Sequence, residues 1–451
     1  MKRLNKYAIL GLLALSSTVA FISCDSDATS GIYSQMYNAT DSQSYTIVQM
    51  TGDPNKGFVL ALESDGIYKI TKNSSDVSTP TQTLLVKGYI TNDDDDIYRI
   101  TAIYSSNGTD LYYILNGSDA DDDPVLYRVD DVDSSTIDPD LASDPTASGA
   151  TAITNEIGVN VTPRGFTDNG YLYGSYNGTS DDDNDNAQFA LVSMDNAITS
   201  SNTIDWTSDG TIIDLNDNYG LSSVIPVLST TNASSETITG DSDPYSTNTP
   251  LVVSVANISR GDSDKYYYDY YVFDGNLKQL VHYATEYQYD VASVVETTDS
   301  TASDSTAPDP RLIGIFTNGY LLSMKTSSNT INKSPIDDDY DYTAGNRKAM
   351  LLIDDDDSSY NLIMMNEYDY IYYYSFDGAY TTDGDDFDID NISSGWADDI
   401  SSSDEISGII KTDTTGGYLV STSNYGFYTI DIDDPNSDSS SNGSSTEGFD
   451  Y

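Results

Sequence analysis

Seven short runs of apolar and aromatic residues recur along the chain, and their spacing constrains the fold more than any other feature. They occupy residues 58–62, 111–115, 171–173, 251–255, 320–324, 371–374 and 418–421. Their starts lie about 50 to 80 residues apart, which suits a repeating unit of a few short strands with loops of variable length. Most runs are followed by a second run ending in a small polar turn, at residues 66–70, 125–130, 189–195, 349–354 and 426–431. Matching lead-ins precede three of them, at residues 165–170, 314–319 and 408–411. The pairs Asn169-Gly170 and Asn318-Gly319 signal tight hairpin turns, because type I′ turns need positive φ. The unit therefore reads strand, turn, strand, loop, strand.

Composition agrees with this reading. The acid is almost all aspartate, 65 Asp against 8 Glu, alongside 38 tyrosines. Aspartate favours turns and caps, whereas glutamate is the better helix former. Aromatic and β-branched residues are enriched in strands. High acidity can signal disorder, but disordered chains lack the aromatic content seen here.

This pattern resembles the β-propeller fold, with degenerate repeats similar to those of bacterial quinoprotein-like and lactonase-like propellers, over about residues 31 to 433. The resemblance implies an all-β propeller of seven blades, with a strand from one terminus closing the ring. Residues 31–37 form an unassigned strand-like piece, and the last unit, ending near Ile432, shows three strands. These two are expected to pair. A pair of β-sandwiches or a solenoid would also accommodate many short strands. The sixth unit is the weak point, since residues 361–374 hold one strand fewer than the scheme requires. Connections at 131–150, 196–217, 231–249 and 297–310 are rich in Ser, Thr and Asp and read as mobile surface loops. Residues 434–451 read as a low-complexity tail.

At the amino terminus, Lys2, Arg3 and Lys6 precede an apolar run at 8–22 that closes at Phe21-Ile22-Ser23-Cys24. A basic start, a short apolar core and a small-residue end are the parts of an export signal. The run is shorter than the roughly 20 residues a spanning helix needs. This segment resembles the lipobox of bacterial lipoproteins, with Phe21 in place of the usual Leu. The resemblance implies cleavage before Cys24, lipidation of its thiol and anchoring to a membrane. Cys24 is the one cysteine in the chain, so no intramolecular disulfide competes for it. The expected organisation is a signal peptide at 1–23, a lipidated tether at 24–30, the propeller at 31–433 and the tail at 434–451. Outer membrane or cell surface is favoured over the inner-membrane face.

The formal net charge is −54, and removal of the signal would make it more negative. Such a chain repels phosphate backbones, which excludes nucleic acid as a partner. Its expected partner is a protein or a glycan. With His282 the single histidine, catalytic triads and zinc centres lack parts, and His282 reads as structural or superficial. No cofactor is required by the sequence. Alternate carboxylates at Asp181, Asp183 and Asp185, and at Asp386, Asp388 and Asp390, suit calcium, a hard cation bound by oxygen ligands. Solvated turns are the favoured reading of such aspartates, since neither run has the glycine or the distant Glu of an EF-hand loop. Tyrosine rows at Tyr266, Tyr268 and Tyr270, and at Tyr370 and Tyr372, could stack on sugar rings; packing between sheets would use the same alternation. The function expected is that of a binding or scaffold lipoprotein, not an enzyme. The alternative is a carbohydrate- or lactone-active enzyme using aspartates at the centre of the ring.

Overall fold

Every apolar run read from the sequence lies in a β-strand of the computed structural model, the fifth from Leu321 onward. The structure describes residues 47–72, 80–91, 97–106, 109–117, 124–155, 161–167, 170–176, 188–194, 198, 202–206, 210–214, 219–228, 251–257, 267–274, 276–298, 310–316, 321–325, 330–334, 349–353, 359–365, 371–377, 389–391, 406–411, 417–422, 426–431 and 444–447. All of them belong to the second of two units, Thr46–Tyr451, the first being Met1–Tyr45. The expected closing strand at 31–37 and the lipobox therefore lie outside the described residues.

The first sheet is a meander of β1 (Ile47–Thr51), β2 (Phe58–Glu63), β3 (Gly66–Thr71) and β4 (Thr81–Lys87). A three-residue edge strand, β5 (Tyr89–Thr91), then pairs with the first strand of the second meander, β6 (Ile97–Ser106), which continues through β7 (Asp110–Asn116), β8 (Val125–Val129) and β9 (Thr151–Asn155). The third meander uses β10 (Val161–Phe166), β11 (Tyr171–Tyr176), β12 (Gln188–Ser193) and β14 (Gly210–Asp214), while β13 (Thr203–Ile204) adds in parallel to β9. An eight-stranded sheet follows. It consists of β15 (Tyr219–Leu228), β16 (Leu251–Asn257), β17 (Tyr267–Phe273) and β18 (Gln279–Ala284), joined to β19 (Val291–Thr298), β20 (Pro310–Phe316), β21 (Leu321–Lys325) and β22 (Thr330–Ser334). Parallel pairing of β15 with β19 at Val227 and Val294 makes the join. The last two sheets are β23 (Ala349–Ile353), β24 (Ser359–Met365), β25 (Ile371–Asp377) and β26 (Ile389–Asn391), then β27 (Ile406–Lys411), β28 (Gly417–Thr422), β29 (Gly426–Asp431) and β30 (Ser444–Glu447). Six hydrogen-bonded sheets among the described residues thus contain seven antiparallel meanders.

The first five meanders pack face to face in succession. Phe58, Leu60 and Leu62 of the first meet Leu111, Tyr113 and Leu115 of the second. Tyr104 and Tyr112 of the second meet Phe166 and Leu172 of the third, with Tyr104 stacked on Phe166 at 5.8 Å between ring centroids. Tyr171 and Phe189 then meet Leu251 and Phe273, and Val252 and Tyr270 meet Leu312 and Phe316. A sheet covered on both faces needs apolar residues on both, so β2 is apolar from Phe58 through Leu62 instead of alternating. The first strands of the meanders are also neighbours. β1 lies against both β6 and β27, β6 against β10, and β19 against both β15 and β23. Glycine is needed where the chain turns tightly: Gly170, before β11, has φ 86°, a conformation that disfavours any Cβ.

The structure changes the strand bookkeeping in the carboxy-terminal half. Residues 349–353, read as the hairpin partner of the fifth run, form β23 and open the sixth meander; the fifth run pairs with polar β22 instead. The sixth meander thereby has four strands, with its expected weak run, β25, in third place. Beside β29 the tail, read from the sequence as low-complexity, supplies a fourth strand, β30, to the last meander. An edge strand needs chiefly backbone donors and acceptors, so the sequence Ser-Ser-Thr-Glu of β30 serves without an apolar signal. Residues 131–150 are not a loose loop either. Leu141 and Val132 are buried, Asp138 caps a short 3-10 turn at Pro139–Ala142 by accepting from Asp140 N, and the Tyr113 hydroxyl donates to Pro145 O. The connection at 196–217 likewise holds β13, β14 and the buried Trp206.

Candidate functional site

Six of the seven first strands carry a register shift against the next strand, at Ile47/Gln49, Ile100/Ala102, Pro163/Gly165, Leu221/Ser223, Val291/Ser293 and Ile406/Gly408. The bulged residues are Val48, Thr101, Arg164, Ser222, Ala292 and Ser407. A bulge leaves its extra residue unpaired and re-aims its side chain. Val48 is 61% exposed, and Thr101, Arg164 and Ser222 are exposed as well, whereas Ile47 and Ile100 just before the first two are buried. The sequence holds the signal for this: an aliphatic residue or Pro, any residue, a small or polar one, then an apolar one. Analysis by run length alone passes over it.

Side chains tie the first strands together. Gln49 Oε1 accepts from Ile103 N at 2.9 Å and Thr51 Oγ1 from Ser105 N at 3.1 Å, so β1 satisfies amides on β6 through side chains. Asp290, just before β19, accepts from Ser222 Oγ at 2.5 Å, Ser223 Oγ at 2.6 Å and Val291 N at 2.8 Å, holding the β15 bulge to the fifth meander. Arg164 Nε donates to Ser175 Oγ at 3.0 Å. Arg128, in contrast, is used structurally between Asp110 at 2.8 Å and Asp130 at 2.5 Å.

Near the first bulge, Glu63 is paired across the ladder with Ile47 and is 8% exposed. Burial and then the charge of Asp65 push its carboxyl up to about 7, against a hydrogen bond donated by Gln82. Around this turn, Tyr68 donates its hydroxyl to Asp65 Oδ2 at 2.8 Å; burial first, then Asp65, raise the phenol above its ordinary range.

His282 is structural. Its ring lies flat on Tyr271, with centroids 4.2 Å apart and planes within 6°. Nε2 is 3.2 Å from Asp269 Oδ2.

The remaining sequence-derived residues fare as follows. Tyr270 is fully buried against Phe316 and donates its hydroxyl to Tyr289 O at 2.7 Å; Tyr268 is half-buried in the same cluster. Tyr270 therefore offers no free ring face for a sugar, because both faces of β17 at this point are covered by adjoining meanders. Tyr266 and Tyr370 lie outside the described residues, as does the Tyr372 side chain, though Tyr372 itself falls in β25. Cys24, Asp181, Asp183, Asp185, Asp386 and Asp388 also lie outside them. Asp390 sits in β26 opposite Ser375. Among the described residues, no group of three His, Cys, Asp or Glu side chains is placed to hold a metal ion.

No protein-family profile matches the chain, and no curated protein matches it in sequence. Loose similarities exist to solved structures. One comes from a study of two prolyl endopeptidases, with 11% identity and a TM-score of 0.44 over 92% of this chain and 52% of that one. The chain thus spans about half the length of that enzyme. YCF48 from Cyanidioschyzon merolae has 10% identity and a TM-score of 0.40, covering 85% of this chain and 95% of that one. Raptor from Chaetomium thermophilum has 10% identity and a TM-score of 0.40, covering 85% of this chain and 27% of that one. Similarity at this level assigns no family.

Proposed function

We propose that the chain is a seven-bladed β-propeller, lipid-anchored through Cys24 in a bacterial cell envelope, and that it works as a binding module for a protein or glycan. The observation that carries the propeller reading is the contact of β1 with both β6 and β27, which brings the last meander back to the first. Face-to-face packing of the first five meanders supports it. In such a ring the sheet faces are consumed by packing, leaving the edges, loops and bulged first strands to meet a partner. His282 is absorbed by the scaffold, which favours binding over catalysis. The lipid anchor rests on the lipobox resemblance at Phe21-Ile22-Ser23-Cys24.

Two measurements test this. Cells fed an alkyne-bearing palmitate should label the wild-type protein and not Cys24→Ala; equal labelling would remove the anchor. The purified protein should bind members of a glycan or envelope-protein array saturably and without turnover. Hydrolysis of an arrayed glycan would favour the enzyme instead.

A further inference from the structure

The bulge positions differ chemically from the rest of the protein. Of the chain's 451 residues, 73 are acidic, yet none of the eighteen residues formed by the six bulges and their immediate neighbours is Asp or Glu. One is a cation, Arg164. Its Nε–H is engaged by Ser175 Oγ, which orients the guanidinium plane and leaves its terminal amino groups without an ion pair among the described residues. A planar guanidinium fork matches a carboxylate with two parallel hydrogen bonds. In a chain of charge −54, an exposed arginine with no carboxylate partner among the described residues is where an anionic group can dock despite overall repulsion.

The strand order supplies the rest. β1, β6 and β10 are successive neighbours, and they place Val48, Thr101 and Arg164 at the same bulge position with all three side chains exposed. That series combines an aliphatic surface, a guanidinium, and a hydroxyl that donates to Ile114 O at 3.5 Å and keeps its lone pairs to accept from a ligand. A sugar ring carrying a carboxylate has matching groups: an apolar ring face, ring hydroxyls and one negative charge.

We infer that Val48, Thr101 and Arg164 form a subsite for a uronic-acid residue of a glycan, with Arg164 holding the carboxylate. The inference rests on the binding-module reading and narrows its ligand. Because the whole chain is acidic, a single carboxylate on an otherwise neutral glycan fits better than a polyuronate, whose further charges would be repelled.

The test is titration calorimetry of the full-length protein in detergent, using xylo-oligosaccharides that carry one glucuronate and the same oligosaccharides carrying glucose instead. Wild type should bind the acidic form at least tenfold more tightly. Arg164→Gln should abolish that preference with an unchanged melting temperature, Arg164→Lys should keep part of it, and Lys278→Ala, at an exposed cation elsewhere, should leave it intact. Equal affinity for both sugars would overturn the uronate subsite while leaving the binding module standing. Retention of the preference in Arg164→Gln would overturn the role of this residue. If neither sugar binds, or if Arg164 instead captures a peptide bearing a free terminal carboxylate, the sugar assignment fails. The array experiment judges the broader reading separately.

Discussion

His282 Nε2 lies 3.2 Å from Oδ2 of Asp269, a carboxylate with no exposed surface. Asp269 Oδ1 also accepts from Thr285 N at 3.3 Å, and Thr285 Oγ1 donates to Tyr268 O at 2.6 Å. The pair therefore clips β17 to β18 and to the chain beyond it. Asp269→Ala should lower stability by about 3 kcal/mol, since buried partners lose their acceptor. Chemical denaturation measures this, and an unchanged midpoint would show that the clip carries no load.

The Glu63 carboxyl, raised to about 7 in the folded protein from a usual value near 4.5, makes stability depend on pH. The folded state holds this proton more tightly than the unfolded chain, so the contribution is complete below about pH 4.5 and is lost as pH rises through 7. Glu63→Gln should flatten that segment of the stability profile, by up to about 3 kcal/mol between pH 5 and pH 8. Melting curves of both proteins across this range provide the check. Parallel profiles would contradict the shift.

Thr51 Oγ1 accepts from the buried Ser105 amide across two meanders. Thr51→Val keeps the shape and removes the acceptor, so it should cost about 1 to 2 kcal/mol. Hydrogen exchange at the Ser105 amide should accelerate in the variant, and a change confined to β1 would argue against the contact.

Tyr270 separates packing from ligand stacking. Tyr270→Phe loses the hydrogen bond to Tyr289 O and should cost about 1 kcal/mol. Tyr270→Ala should cost about 3 to 5 kcal/mol, as expected for a large aromatic side chain removed from a core. Glycan affinity of the Phe variant should equal that of wild type; a loss there would return this ring to the binding surface.

The all-β class was legible because residues such as Phe58, Leu60 and Leu111 lie in strands buried on both faces, which demands short uninterrupted apolar runs between turn residues. Polar edge strands left no such mark. β22 and β30 are recognised by the neighbour they pair with, and missing them shifted the grouping of strands in the fifth, sixth and seventh units. The tyrosine rows were legible as strands, but whether Tyr270 faced solvent depended on Phe316 from the next meander.

The candidate site was less legible still. Arg164 and Thr101 drew no notice as single polar residues inside the strand segments Val161–Phe166 and Ile97–Ser106. They acquire meaning through the bulge that lifts each from the ladder and through the adjacency of β1, β6 and β10. Asp269 likewise is one aspartate among 65, distinguished by its burial beside His282. The sequence by itself determined strand content, the repeat and the acidic surface, since these follow from local periodicity, turn chemistry and composition. Tertiary structure alone decided which strands share a sheet, which tyrosines are core and which side chains are exposed at the bulges, because these depend on contacts between residues far apart in the chain.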